Sequence, residues 1–300
     1  MSGDRRRLEA GAAEAVRRAL RVLPRRAALA LGGSLGRVLG DLDRRHVAIA
    51  ADNLRHAFPH WEEARRLRAA RGVYAHFGRV LLDILWLHGR GGEGVRRAMG
   101  GVAGRAHVEA AMARGKGAVL VTAHLGNWEV HGVGHGLLFG PIGVVARPLD
   151  NPALDRRLCE MRTLGGNTVI PKRHALAHVL RALRAGGGVA VLIDQNVQAG
   201  DGIFVDFFGR AAATTTVAAA LAVKTGSALV PCHTRLRPDG LYDFVYEPPL
   251  LAEAGAERAP EVARLTQALT ARIEEWVRRT PEQWLWIHRR WKTRPPEAGS

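Results

Sequence analysis

Two rhythms of apolar and polar positions divide this chain. Over roughly the first hundred residues, apolar side chains recur at helical steps, the spacing of a helix packed on one face. The stretch "DRRRLEAGAAEAVRRALRVLP" sets Leu8, Val16, Leu20 and Leu23 near one face among arginines, and Pro24 predicts its end. Such a basic amphipathic helix suits a membrane surface as well as a solvated face of its own domain. "HVAIAADNLRHAFPHW" and "EEARRLRAARGVYAHFGRVLLDILWLH" predict two more helices separated by Pro59. The glycine-rich "GRGGEG" near residue 90 predicts a boundary.

Beyond it the pattern changes to short apolar runs alternating with amphipathic stretches. "GAVLVTAH", "GPIGVVA", "NTVIP" and "GVAVLID" predict strands; "NWEVHGVGHGLL", "NPALDRRLCEMRTLG" and "HALAHVLRALRAG" predict helices. "TTTVAAALAVKTG" predicts another helix, with threonines at its start and glycine at its end. "SALVPCHTRL" and "YDFVYEP" flank the turn "RPDG" as a hairpin. Strands alternating with helices imply an α/β fold with a mostly parallel central sheet flanked by helices. The expected organisation is an N-terminal helical region over 1–100 and an α/β domain over 101–300.

Composition changes this picture in one respect, charge. Forty-four Lys and Arg against 28 Asp and Glu give a formal +16 in 300 residues. Such a surface attracts nucleic acid, an anionic membrane or an acidic protein. Cys159 and Cys232 match no metal or redox spacing and read as reduced thiols of a cytosolic setting. The most apolar segment, "AALALGGSLGRVLG" at residues 27–40, is short, glycine-broken and interrupted by Arg37, so neither a membrane span nor a signal peptide is expected.

The candidate chemistry sits at strand ends, where sheets of this kind collect their active sites. His124 follows "AVLVTA" and Asp194 follows "GVAVLI". A histidine can take a proton from a hydroxyl if a carboxylate fixes its tautomer. Glu129, five residues on and in the first turn of the next helix, is the nearest carboxylate in sequence. A solvated acid favoured by the helix dipole is the alternative. No Ser or Cys stands in a nucleophile elbow. His131 and His135 share a helix face and raise a metal, though HExxH is absent and no third ligand stands at a familiar spacing. Arg147, Arg162 and Lys172–Arg173 follow strands or helices near His124 and could clamp phosphates. "GIFVDFFGRAAATTT" offers either a helix N-terminus for an anion or a hairpin-like turn with Phe207 and Phe208 in the core. In "QWLWIHRRWKTRPP", Trp284, Trp286 and Trp291 interleave with Arg289, Arg290, Lys292 and Arg294. That pattern suits a lipid headgroup interface, stacking on nucleic acid, or a core-packing terminal strand.

Taken in order, "HLGNWE", "ARPLDNPALD", "LIDQNV", "GIFVDFFGRAAATT" and "PEQWLWIHRRWKTRP" resemble the lauroyl/myristoyl lipid A acyltransferases, over about residues 40–295. The resemblance implies a glycerolphosphate-acyltransferase-like fold and acyl transfer from acyl carrier protein to a hydroxyl of an anionic glycolipid. The expected place is the cytoplasmic face of the inner membrane, with peripheral or weak attachment. It implies no cofactor, no metal and no nucleic acid. His124 then corresponds to the catalytic base and Glu129 to its acidic partner. Arg147, Arg162, Asp194 and Gln195 fall at substrate-binding positions. Oxyanion donors would come from a backbone N–H near Gly126 or from an arginine. A related branch that acylates phosphatidylinositol mannosides shares the His-x4-acid motif and is the alternative. More distant ones are a zinc hydrolase and a basic binding module without catalysis.

Overall fold

The computed structural model describes residues 3–173 and 175–296. Five helices come first: α1 (Gly3–Leu20), α2 (Arg25–Leu42), α3 (Arg44–Ala57), α4 (Glu63–His88) and α5 (Gly91–Ala98). The side chains of residues 3–8 and 10, Leu8 among them, lie outside the described residues. In the glycine-rich segment near residue 90, α4 ends at His88 and α5 begins at Gly91, burying Val95 and Ala98. The glycine-broken 27–40 segment is one uninterrupted helix, α2. Its glycines are the packing surface. A Cβ at Gly36 would stand 2.1 Å from the Tyr74 carbonyl oxygen, and one at Gly32 2.5 Å from that of Gly78. Glycine here brings two helix backbones together at a distance no larger residue permits. Among the described residues no helix is long and apolar enough to cross a membrane.

Then β1 (Met99–Ala103) and α6 (Arg105–Ala113) lead into the alternating region. It runs β2 (Ala118–Thr122), α7 (Trp128–Phe139), β3 (Ile142–Ala146), α8 (Pro152–Thr163), β4 (Thr168–Pro171), α9 (Ala175–Arg184) and β5 (Gly188–Leu192). A small antiparallel pair follows, β6 (Ile203–Phe207) with β7 (Arg210–Thr214). The chain continues as α10 (Val217–Thr225), β8 (Ala228–Leu236), β9 (Tyr242–Tyr246) and α11 (Arg258–Arg279). A short turn of 3₁₀ helix, Pro281–Gln283, opens the C-terminal segment. The seven-stranded sheet has the order β1-β9-β8-β2-β5-β3-β4. Every pairing is parallel except the β8–β9 hairpin, so the expected mostly parallel α/β sheet is observed.

Period-two alternation sorts the central strands between two apolar layers. Val119 and Val121 of β2 face a core shared with Leu54 of α3, Val73 of α4, Trp276 of α11 and Trp284. Ala118 and Leu120 face the other layer, with Val130 and Val133 of α7 and Phe244 of β9. "GIFVDFFGRAAATTT" is a hairpin, and both Phe207 and Phe208 are buried at its turn. The tryptophan-rich terminus forms neither an interfacial belt nor a strand. Trp284, Trp286 and Trp291 are buried, and so is Arg290, which donates to the Ala213 carbonyl at 2.6 Å and to the Thr214 hydroxyl. Burial pulls its guanidinium down to about 10 although Asp194's charge opposes the shift.

Gly36→Val should therefore force α2 off α4. We expect a loss of about 3 kcal/mol in urea unfolding, whereas unchanged stability would show that the two backbones do not need this approach.

Candidate active site

Strand register places the two central groups. In β2 and β5, Thr122 pairs with Leu192, and two residues past each of these stand His124 and Asp194. Both strands are apolar apart from the terminal Thr122 and end on the same side of the sheet, so the side chains two residues beyond them meet. The His124 ring Nδ1 lies 2.8 Å from Asp194 Oδ1, and the His124 backbone N–H donates to Oδ2 at 2.8 Å. Trp284 Nε1 donates to the same Oδ2 at 2.8 Å. With Nδ1 facing a carboxylate, the ring carries its proton there and keeps Nε2 as an acceptor. Gln195 Nε2 stands 3.4 Å from that Nε2.

Charges around the ring set its acidity. Burial alone would lower the His124 pKa; Asp194's charge and hydrogen bond, with a contribution from Glu129's charge, reverse this and raise it above 6.5. Asp194 shows the converse: burial would raise it, and His124 with the two N–H donors holds it below the ordinary carboxylate value. Asp194, expected at a substrate-binding position, is 4% exposed, and its oxygens accept from the His124 backbone and the Trp284 indole and face the His124 ring.

The turn that carries His124 is held from behind. Gly126 adopts φ +63°, and a Cβ there would stand 2.0 Å from the Thr234 carbonyl oxygen, so conformation and space both demand glycine. Its N–H donates to the Gln283 carbonyl at 3.0 Å, which commits the backbone donor expected to face an oxyanion. His76 Nε2 donates to the Gly126 carbonyl at 3.0 Å, and burial lowers that imidazole to about 4, so it serves as a neutral donor. The next residue, Asn127, caps α7 by accepting from the Val130 N–H and donates from Nδ2 to the Tyr242 hydroxyl at 3.0 Å. Tyr242 in turn donates to Asp83, which binds Arg25 of α2 through both oxygens at 2.7 and 2.8 Å.

Glu129 sits in the first turn of α7, as its spacing implied, but its hydrogen bonds go elsewhere. Both oxygens accept from Arg162 of α8, at 2.7 and 2.5 Å, in a pair largely withdrawn from solvent. The carboxylate that holds the histidine is therefore Asp194, and Glu129 reaches the ring through its field alone. Sequence distance hid this, since Asp194 is seventy residues away and Glu129 five. The strand-end rule that singled out Asp194 contained the information.

His124, Glu129, Arg162 and the exposed Arg147 all line one cavity of about 180 Å³, with Trp128 beside the ring. Its inner wall is apolar: Leu120, Ile142, Val144, Ala190 and Leu192, with Cys232. His131 and His135 line it as well. Burial lowers His135 to about 4, with Tyr246's hydroxyl 3.2 Å from its Nδ1, and burial with a neighbouring imidazole lowers His131. Among the described residues no three His, Cys, Asp or Glu side chains gather as a metal-binding group. Lys172 and Arg173 lie outside this cavity's lining.

A base-ready histidine over a narrow apolar cavity, on an α/β sheet, fits enzymes that move an acyl chain onto a hydroxyl. Comparison with known proteins narrows that class. The model of the bacterial lipid A biosynthesis acyltransferases matches residues 9–293, and the chain belongs to that family. It is 29% identical to the lipid A biosynthesis lauroyltransferase of Escherichia coli, over 88% of this chain and 85% of that one. It is 31% identical to a phosphatidylinositol mannoside acyltransferase of Mycolicibacterium smegmatis, over 75% of this chain and 72% of the relative. A lipid A biosynthesis acyltransferase of Haemophilus influenzae is 26% identical over 88% of this chain and 81% of its own length. The protein is thus an O-acyltransferase of the lipid A and glycolipid family.

Two outcomes are expected of the charged groups. Arg162→Met leaves Glu129 buried without its partner and should cost roughly 3–5 kcal/mol in denaturant unfolding; a loss below about 1 kcal/mol would show that water replaces the guanidinium. The second concerns pH. Because the folded His124 pKa is raised, its pairing contributes fully below about 6.5 and fades as pH rises through the raised value. Asp194→Asn should therefore destabilise more at about pH 5.5 than at about pH 9, and an equal loss at both would contradict the charged pair.

Proposed function

We propose that this enzyme transfers a fatty acyl chain from acyl carrier protein to a hydroxyl of a lipid A precursor, at the cytoplasmic face of the inner membrane. The observation that carries the reading is the His124–Asp194 pair at the mouth of an apolar cavity. His124 Nε2 takes the proton of the acceptor hydroxyl, and Asp194 stabilises the imidazolium that results. The hydroxyl oxygen then bonds to the thioester carbon. The tetrahedral adduct collapses with cleavage of the C–S bond, and the imidazolium returns its proton to the departing thiolate. The acyl chain occupies the cavity between Leu120, Ile142, Val144 and Leu192, shielded from water during attack. Arg147, exposed at the cavity, meets acceptor phosphate, while Arg162, committed to Glu129, keeps that wall of the site in place.

A second acceptor is favoured by one finding, the 31% identity to a phosphatidylinositol mannoside acyltransferase. Both readings share the chemistry and differ in the headgroup.

Mass spectrometry of glycolipids formed by the purified enzyme from acyl carrier protein thioester should show one added acyl ester on the lipid A precursor. Addition only to a phosphatidylinositol mannoside would select the second acceptor, and addition to neither would refute acyl transfer to these lipids. His124→Ala should lower the transfer rate about 10²–10⁴-fold in protein whose circular dichroism remains that of the folded parent; retention of full activity would remove His124 from the reaction.

A further inference from the structure

In α2 the usual arrangement of a water-soluble helix is inverted. Its buried face is made of Ala28, Leu29, Gly32, Gly33, Gly36 and Gly40. Its large apolar residues stand outside: Leu31 is 43% exposed, Leu35 48%, Val38 57%, Leu39 56% and Leu42 74%. Their spacing by four, three and four, with Leu39 alongside, puts them on one face of the helix. Among the described residues, five of the twelve exposed large hydrophobic ones thus lie on one eighteen-residue helix. Isolated exposed leucines need no explanation; a continuous stripe of this kind marks a surface that meets something apolar. Small residues turned inward with aliphatic ones turned outward is how helices pack where the surroundings are lipid.

The charges near the stripe identify the partner. Arg26, Arg37, Arg44 and Arg45 are exposed and, among the described residues, form no ion pair. The acids of the same stretch are occupied: Asp41 lies 3.1 Å from Arg71, and Asp43 accepts from Tyr74 and contacts His46. A groove of about 1340 Å³ begins at the N-terminal part of α2 and adds Arg65, Arg68 and Arg79, against Glu282 near Arg79 and an Asp239 already paired with Arg237. The uncompensated charge around the leucines is therefore positive. A second copy of the chain would bring these arginines against their own kind, whereas an anionic bilayer neutralises them.

We propose that α2 lies in the plane of an anionic membrane, its Leu31–Leu42 face entering the acyl margin and the flanking arginines holding headgroup phosphates. This assigns to α2 the role that the sequence pattern offered to α1. Leu20 of α1 is 1% exposed and packs with Ala28 and Leu82. The inference deepens the functional reading by fixing how the protein meets its lipid, and its test needs no catalysis, so the two fail separately.

The test is sedimentation of the full chain with vesicles of phosphatidylglycerol and phosphatidylcholine in equal parts. Leu35→Gln/Val38→Gln/Leu42→Gln should weaken partition on the order of a hundredfold. The control Leu176→Gln/Leu251→Gln, at exposed leucines in α9 and in the segment after β9, should leave it unchanged. Equal partition of the triple variant and the parent would overturn the proposal, as would a parent dimer that the triple variant dissociates. A second measurement avoids any question of folding. In a Cys159→Ser background, Val38→Cys carrying a polarity-sensitive dye should shift its emission to the blue on adding these vesicles. An unshifted spectrum with bound protein would place the contact elsewhere and refute α2 as the docking helix.

Discussion

One carboxylate organises this enzyme. Asp194 gathers three N–H groups from two parts of the chain: the backbone and ring of His124 beyond β2, and the indole of Trp284 near the C-terminus. A carboxylate buried to this degree is tolerable only with such donors. Satisfying it fixes the histidine's position, its tautomer and its charge at once. The same bonds draw the C-terminal segment onto the active-site turn, where Leu285 N–H donates to the His124 carbonyl at 3.1 Å and Gly126 N–H to that of Gln283. Asn53 of α3 donates to the Trp286 and His288 carbonyls, both at 2.8 Å, which ties the helical region to that segment. Chemistry, terminus and N-terminal helices are therefore parts of one buried polar arrangement.

That arrangement also connects the proposed membrane surface to the turn. Arg25 of α2 pairs with Asp83, Asp83 accepts from Tyr242, and Tyr242 accepts from Asn127 beside the catalytic loop. Each member is largely buried and each hydrogen bond has a partner. Under the proposed docking of α2, this hydrogen-bonded connection would let the helix set the depth and tilt of the cavity mouth. On the proposed functional reading, an acceptor anchored in lipid would then meet His124 without leaving the membrane.

Much of this was legible in the chain. Apolar runs between amphipathic stretches gave the parallel sheet, "RPDG" gave the β8–β9 hairpin, and the strand-end rule brought out both His124 and Asp194. Local spacing failed where the contact is long-range. It offered His124 the nearer Glu129, because no pattern in one dimension reveals that Arg162 reaches Glu129 first. At the C-terminal segment the interleaved tryptophans and arginines left interface, stacking and core packing open; the tryptophans pack in the core, and Arg290 is buried because the Ala213 carbonyl and the Thr214 hydroxyl satisfy it. Glycine counts against helix by propensity, but in α2 close contact with α4 outweighs that cost of about 1 kcal/mol per residue. The inward glycines of α2 are also why its leucines remain outside.

The claim on which the account rests is that Asp194, rather than Glu129, holds the His124 ring. Nitrogen-15 chemical shifts of the histidine ring, assigned by comparison with His124→Ala and read above its pKa, test it directly. The account predicts a neutral ring protonated at Nδ1, unchanged in Glu129→Gln and lost from that state in Asp194→Asn. A ring protonated at Nε2, or one that responds to Glu129→Gln and ignores Asp194→Asn, would contradict it.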